Sequence, residues 1–330
     1  MQGKVSSEPS AEPLVSVGID TCKAWLDAHV LSADIVFRVP NTKKGHKQLM
    51  AKLSPYKVHI VVIEATGKHH RAAHRFLYEA GFRVAVVNPL RSRLFAEALG
   101  LLAKTDKVDA RMLAAMGQMT DPKTTPPLAE NLENLREIVR SRDAAIANKV
   151  ALGNQLDTIT LDAVRVVIKK QITAADRAIE ELERQALKLI KADKVFARRL
   201  VVLTSIPGIG DVTAIGLIAN MPELGTLNEK AVGMLAGLAP IACESGQMRG
   251  ARHIRGGRKI VRTGIYMAAL SAARFNPELQ RLYDRLVAVG KKPKVAITAV
   301  MRRLLVLANS LLKGDRCWSP NPPIAKPSLP

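Results

Sequence analysis

An α/β domain followed by a mainly helical remainder is the fold class this sequence predicts, and two observations predict it. The first ninety residues break into short apolar runs whose order reads βββαβαβ, with helices after them. Farther on, no proline lies between Pro127 and Pro207, and apolar residues there recur at helical spacing.

The strands come first. Val15, Val17 and Ile19 alternate up to Asp20, Trp25 to Leu31 and Ile35 to Val39 follow, and Pro40 ends this meander. Asn41 or Thr42 can cap a helix running through Leu53. Val58 to Ile63, apolar but for His59, is a run of the buried parallel type, ending at Glu64. A helix from about Lys68 to Ala80, closed by Gly81, leads to a strand from Phe82 to Val87 that Asn88-Pro89 stops. An antiparallel meander extended by parallel strands with helical crossovers is the succession of a ribonuclease H-like fold.

In the proline-free stretch, Leu132, Leu135, Ile138, Val139, Leu156, Ile159, Val164, Val167, Ile168, Ile179 and Leu182 mark long amphipathic helices with charges of both signs on the opposite face. A coiled-coil arm pairing protomers and an intrachain helical hairpin both satisfy that pattern. Beyond Val201 the chain is Gly-rich and basic, with helical stretches at Val212 to Ala219, Arg262 to Ala273 and Val295 to Leu312. The expected division is a disordered start (1–13), an α/β domain (14–125), a helical arm (126–200), a mainly helical domain (201–318) and a Pro-rich disordered tail (319–330).

At 330 residues the chain exceeds one hydrophobic core. Its charge points to a polyanion. Fifty Lys and Arg stand against 29 Asp and Glu, a formal +21, distributed as +7 over residues 1–120, +3 over 121–200 and +11 over 201–330. Aromatics are only 4%, too few for an extended base-stacking platform, so backbone contacts are expected to dominate. Cys22, Cys243 and Cys317 show no paired metal spacing, and no run of about 18 apolar residues or apolar leader is present. The expected location is the cytoplasm, at the nucleoid, with no membrane partner.

Four carboxylates carry the chemistry. Asp20 closes the first strand and Glu64 closes the strand after the first crossover, so a ribonuclease H-like sheet would bring them out at the same end. Asp106 and Asp109, three apart near a helix start, share one helical face. Converging carboxylates require cations, and hard oxygen donors suit Mg²⁺ or Mn²⁺, two of which can stabilise the attacking and leaving oxygens of a phosphoryl transfer. Singly, each acid has a plainer reading as a helix-start, turn or solvated residue.

In the second half, Leu203 to Gly210 followed by a helix reads as a helix-hairpin-helix, with Pro207, Gly208 and Gly210 letting backbone amides approach a phosphate; a tight turn between packed helices is the alternative. Glu244-Ser245-Gly246 precedes Arg249, Arg252, Arg255, Arg258 and Lys259, a loop able to wrap a phosphodiester. By residue type alone Ser205 and Ser271 compete with Ser245 as nucleophile.

Gly18-Ile19-Asp20, Glu64-Ala65-Thr66-Gly67, Lys104-Thr105-Asp106, Val108-Asp109-Ala110-Arg111, and Gly237-Leu238-Ala239-Pro240 with Glu244-Ser245-Gly246 resemble the motifs of the DEDD transposases of insertion sequences, the bridge-RNA-guided recombinases. One departure is His69-His70, where that family tends to carry an aromatic. The resemblance implies a RuvC-like amino-terminal domain with metal ligands Asp20, Glu64, Asp106 and Asp109, and a carboxy-terminal domain with Ser245 as catalytic nucleophile. It further implies a transposase that cuts and rejoins target and donor DNA through a phosphoserine, guided by a noncoding bridge RNA, as a dimer to tetramer. The alternatives are a RuvC-like metal-dependent structure-specific endonuclease and a non-enzymatic nucleic-acid-binding protein.

Overall fold

The computed structural model describes residues 15–100, 106–242, 244–245, 248–250 and 252–320. The disordered start expected for 1–13 lies outside them, as does most of the expected tail. The chain divides into two compact units, Met1–Leu128 and Ala129–Pro330.

The first unit is built on one mixed sheet of β1 (Val15–Thr21), β2 (Trp25–Val30), β3 (Ile35–Pro40), β4 (Val58–Glu64) and β5 (Val84–Val87), in the order β3-β2-β1-β4-β5. β1, β2 and β3 pair antiparallel, whereas β4 joins β1, and β5 joins β4, in parallel. This is the meander with parallel extension that the apolar pattern predicts. The crossovers are α1 (Lys43–Leu53), which Thr42 caps by accepting from the Gly45 amide, and α2 (Arg71–Glu79), which begins three residues later than the sequence suggests. After β5 come α3 (Pro89–Ala98) and α4 (Asp106–Thr120).

Side chains alternate across the sheet. Val15, Val17, Ile19, Leu26, Ala28 and Val30 form one core with Leu49, Leu53 and Leu77 of α1 and α2. Ile60, Val62, Ala85 and Val87 form another with Met112, Leu113 and Met116 of α4. A strand that is apolar on both faces needs cover on each of them, which is why Ile60 to Ile63 is apolar without a break.

The second unit is mostly helical. α5 (Glu130–Thr158) and α6 (Asp162–Ala192) form an antiparallel intrachain pair: Arg142 bonds Glu183, Lys149 bonds Asp176, and Arg165 donates to the Leu156 and Ile159 carbonyls at the far end. α7 (Lys194–Thr204), α8 (Asp211–Asn220), α9 (Glu229–Leu235), α10 (Lys259–Phe275), α11 (Pro277–Ala288) and α12 (Pro293–Lys313) follow. Leu135, Val139, Ala186 and Ile190 at the base of the long pair belong to the same core as α7 to α12. Among the described residues one helix, α12, is long and apolar enough to cross a membrane, and more than half of its apolar stretch is buried inside the protein.

Candidate nucleic-acid cleavage site

Two glycines set the geometry at the sheet end. A side chain at Gly18 of β1 would overlap the Ala110 carbonyl and the Ala114 amide of α4. One at Gly117 would overlap Ser16 Oγ and Val62. Their absence lets α4 lie directly on β1 and β4, where Ser16 Oγ donates to the Ala114 carbonyl at 2.7 Å. Because Ala110 sits over Gly18 and Gly117 over Ser16, α4 runs opposite to β1. Its first turn, with Asp106 and Asp109, therefore lies over the carboxyl ends of β1 and β4. Those ends carry Asp20 and Glu64, following the paired residues Ile19 and Ile63.

The side chain of Asp106 lies outside the described residues; the other three acids are Asp20, Glu64 and Asp109. All three are half-buried. Asp20 accepts from the Thr21 amide at 2.8 Å. Glu64 Oε2 accepts from Ser92 Oγ at 2.6 Å, and Ser92 is 1% exposed on the first turn of α3. Among the described residues no group of three or more His, Cys, Asp or Glu is near enough to hold a metal ion. The donor chemistry nevertheless fits a divalent cation: oxygen donors from two adjacent strand ends, with a helix start bearing two more carboxylates brought over them.

Asn41 fastens the loops around this end. Its Nδ2 donates to the Cys22 and His69 carbonyls, both at 2.9 Å, and its Oδ1 meets His46 Nε2 at 2.9 Å. The segment after β1 is thereby tied to the segment after β4. His70, the second residue of the departure from the family pattern, is held below its ordinary pKa chiefly by burial, and its Nδ1 has no partner among the described residues. Sequence reading missed Ser92 and Asn41. Taking Asn88 as a helix cap and Pro89 as its first residue would have placed α3, and Ser92 on its first turn; Asn88 Oδ1 does accept from the Leu90 amide.

In the second unit Ser245 lies on the inner of two short antiparallel ladders. Pro240–Ile241 pairs with His253–Ile254, and Glu244–Ser245 with Met248–Arg249, so Ser245 faces Met248 across the inner ladder. The base of this hairpin is locked to the helices. Gly237 (φ 68°) and Gly257 (φ 64°) approach so closely that a side chain on Gly257 would overlap the Gly237 backbone. Arg262 donates to the Gly256 carbonyl at 3.0 Å.

The basic residues separate into two kinds. Arg252, Arg255 and Lys259 are exposed, while the side chain of Arg249 lies outside the described residues. Arg258 is engaged: its guanidinium binds Glu223 at 2.6 and 2.7 Å and the Asn220 carbonyl at 2.9 Å, capping α8. Burial pushes the Glu223 carboxyl up, and the hydrogen bonds and charge of Arg258 outweigh it, leaving the group below its ordinary value. Gly208 (φ 102°) is likewise occupied, packed against Ala272 of α10, whereas Gly210 at the start of α8 has open space beside it. The glycine at 208 is thus required by helix packing, and Pro207 beside it is half-buried.

A DEDD transposase family model of the IS110 type, described as a transposase, matches residues 17–165, and one described as the transposase IS116/IS110/IS902 family matches residues 201–284. The chain belongs to the DEDD transposase family of insertion sequences. It is accordingly a transposase or recombinase that acts on DNA. The chain is 26% identical to the pilin gene-inverting proteins of Moraxella bovis and Moraxella lacunata, over 91% of its length and 96% of theirs. It is 25% identical to the transposase for insertion sequence element IS1328 of Yersinia enterocolitica, over 72% of this chain and 81% of that one.

Proposed function

We propose that this member of the DEDD transposase family cuts and rejoins DNA through a covalent phosphoserine at Ser245, assisted by a divalent metal, Mg²⁺ or Mn²⁺, at Asp20, Glu64, Asp106 and Asp109. The observation that carries this reading is the first turn of α4 lying over the carboxyl ends of β1 and β4, made possible by Gly18 and Gly117. A divalent metal held there supplies charge stabilisation to the attacking and leaving oxygens of phosphoryl transfer.

The chain's own residues do the rest. Ser245 Oγ attacks the scissile phosphorus, a serine O–P bond forms and the P–O3′ bond breaks; the proton lost from the hydroxyl is balanced by one gained at the leaving 3′ oxygen. One phosphodiester replaces another, so a 3′ hydroxyl from a second strand can reverse the step without an energy source. Exposed Arg252, Arg255 and Lys259 beside the serine hairpin hold the phosphate, with Arg249, and the open start of α8 at Gly210 offers a further phosphate contact. The family resemblance extends the proposal to a noncoding bridge RNA that pairs with target and donor DNA, and to an assembly of two to four copies in which the serine of one meets the carboxylates of another. The formal charge of +21 supports nucleic acid in such bulk.

A suicide DNA substrate that cannot religate should accumulate a denaturant-resistant adduct with the wild-type protein, and mass spectrometry should locate it on Ser245. Ser245→Ala should bind DNA with nearly wild-type affinity and form no adduct. An adduct at another residue, or free 5′-phosphate ends without one, would overturn the assignment and indicate hydrolysis by water.

A further inference from the structure

A cavity of about 470 Å³ lies in the second unit, walled by α11, α12 and the segment after α12. Its lining has an excess of positive charge. Arg281, Arg303 and Arg316 face it, against Glu229 and Glu278. Arg303 is neutralised by Glu278, with contacts of 2.8 and 3.1 Å, so two arginines remain against one carboxylate. Arg281 is oriented by a hydrogen bond from its Nε to the Pro277 carbonyl at 3.1 Å, and both Arg281 and Arg316 are exposed.

The same cavity has an aromatic wall. Trp318 lines it together with Leu307. The Trp318 backbone amide donates to Ser205 Oγ at 2.8 Å, which anchors that segment to the end of α7. Asn276 also belongs to the wall and is 0% exposed. Its Oδ1 accepts from the Glu278 and Leu279 amides as the cap of α11, and its Nδ2 has no partner among the described residues.

We propose that this cavity takes one unpaired nucleotide of a DNA or RNA strand, the base against Trp318 and the phosphate against Arg281 and Arg316. Its volume falls in the range of small-ligand pockets, roughly 300–1,000 Å³. Every base has a π-face for an indole, and guanidinium matches phosphate with paired donors. A duplex keeps its bases stacked inside, whereas strand exchange necessarily exposes unpaired ones, so the cavity selects the opened strand. The proposal rests on the chain acting on nucleic acid strands, and on neither Ser245 nor the carboxylates.

The full chain has two tryptophans, and Trp25→Phe leaves Trp318 as the single indole reporter. Pentathymidylate and pentauridylate should quench its emission saturably, and the tighter of the two identifies the strand as DNA or RNA; a fully paired, blunt-ended DNA duplex should not quench. Arg281→Gln with Arg316→Gln in that background should weaken quenching roughly ten-fold, about the effect of one lost charged hydrogen bond, with an unchanged melting temperature. In otherwise wild-type protein followed by oligonucleotide anisotropy, Trp318→Leu should weaken pentanucleotide binding and Trp318→Phe should retain it. Equal quenching by the duplex or by inorganic phosphate, or unaltered affinity in the double glutamine variant, would overturn the proposal while leaving the Ser245 adduct untouched.

Discussion

Ser92 donates to Glu64 Oε2 from a position that is 1% exposed, so one carboxylate oxygen is oriented by a group that water scarcely reaches. Outer partners of this kind typically change metal affinity or activity about 10–100-fold when removed. Ser92→Ala should therefore weaken Mn²⁺ binding by calorimetry within that range and raise the metal concentration needed for strand cleavage, with saturating metal restoring much of the rate. Unchanged Mn²⁺ affinity would mean that Ser92 serves only the packing of α3. Asp20→Ala, Glu64→Ala, Asp106→Ala and Asp109→Ala should each abolish recombination while the fold survives, because removing one donor unbalances a charged site. Full strand exchange in Mg²⁺ by any of them would exclude that residue as a ligand.

The position of α4 depends on two missing side chains, as that of the serine hairpin does on Gly237 and Gly257. Gly18→Ala forces a methyl into the Ala110 carbonyl, and overpacking of this kind costs about 1–3 kcal/mol. A melting temperature lowered by several degrees, with cleavage lost more than proportionally, is the expected result, since the first turn of α4 is displaced from Asp20 and Glu64. Gly257→Ala combines a left-handed backbone with overlap on Gly237. It should reduce adduct formation at Ser245 while leaving Mn²⁺ binding intact, and a matching loss of both would argue against a local effect on the hairpin.

Charge is a property of the entire chain, yet individual arginines contribute to it differently. Residues 201–330 carry +11, so DNA binding should weaken steeply with salt, each neutralised phosphate adding about 0.9 to the slope. Arg255, exposed, should take about one unit of slope with it as Arg255→Ala. Arg258→Ala should leave the slope near wild type and lower the melting temperature instead, because its guanidinium is held by Glu223 and the Asn220 carbonyl. Filter-binding titrations over a range of salt, beside thermal melts, separate the two, and equal slopes for wild type and Arg255→Ala would remove that residue from the phosphate grip.

Periodicity and punctuation alone determined the strand succession of the first unit, a helix cap at Asn41 or Thr42, the long helices after Pro127 and the placement of Asp20 and Glu64 at strand ends, because these follow from local backbone preference and from which face is apolar. Tertiary structure decided what has no local trace. Ser92 and Glu64 are 28 residues apart and Arg258 and Glu223 are 35, so their hydrogen bonds exist only after the helices pack, and Gly18 and Gly208 are glycines because of chains that cross them from far away in sequence. A basic residue in a loop looks the same to the solvent whether or not a carboxylate waits across the fold, and only packing assigned Arg258 to the protein and left Arg255 exposed.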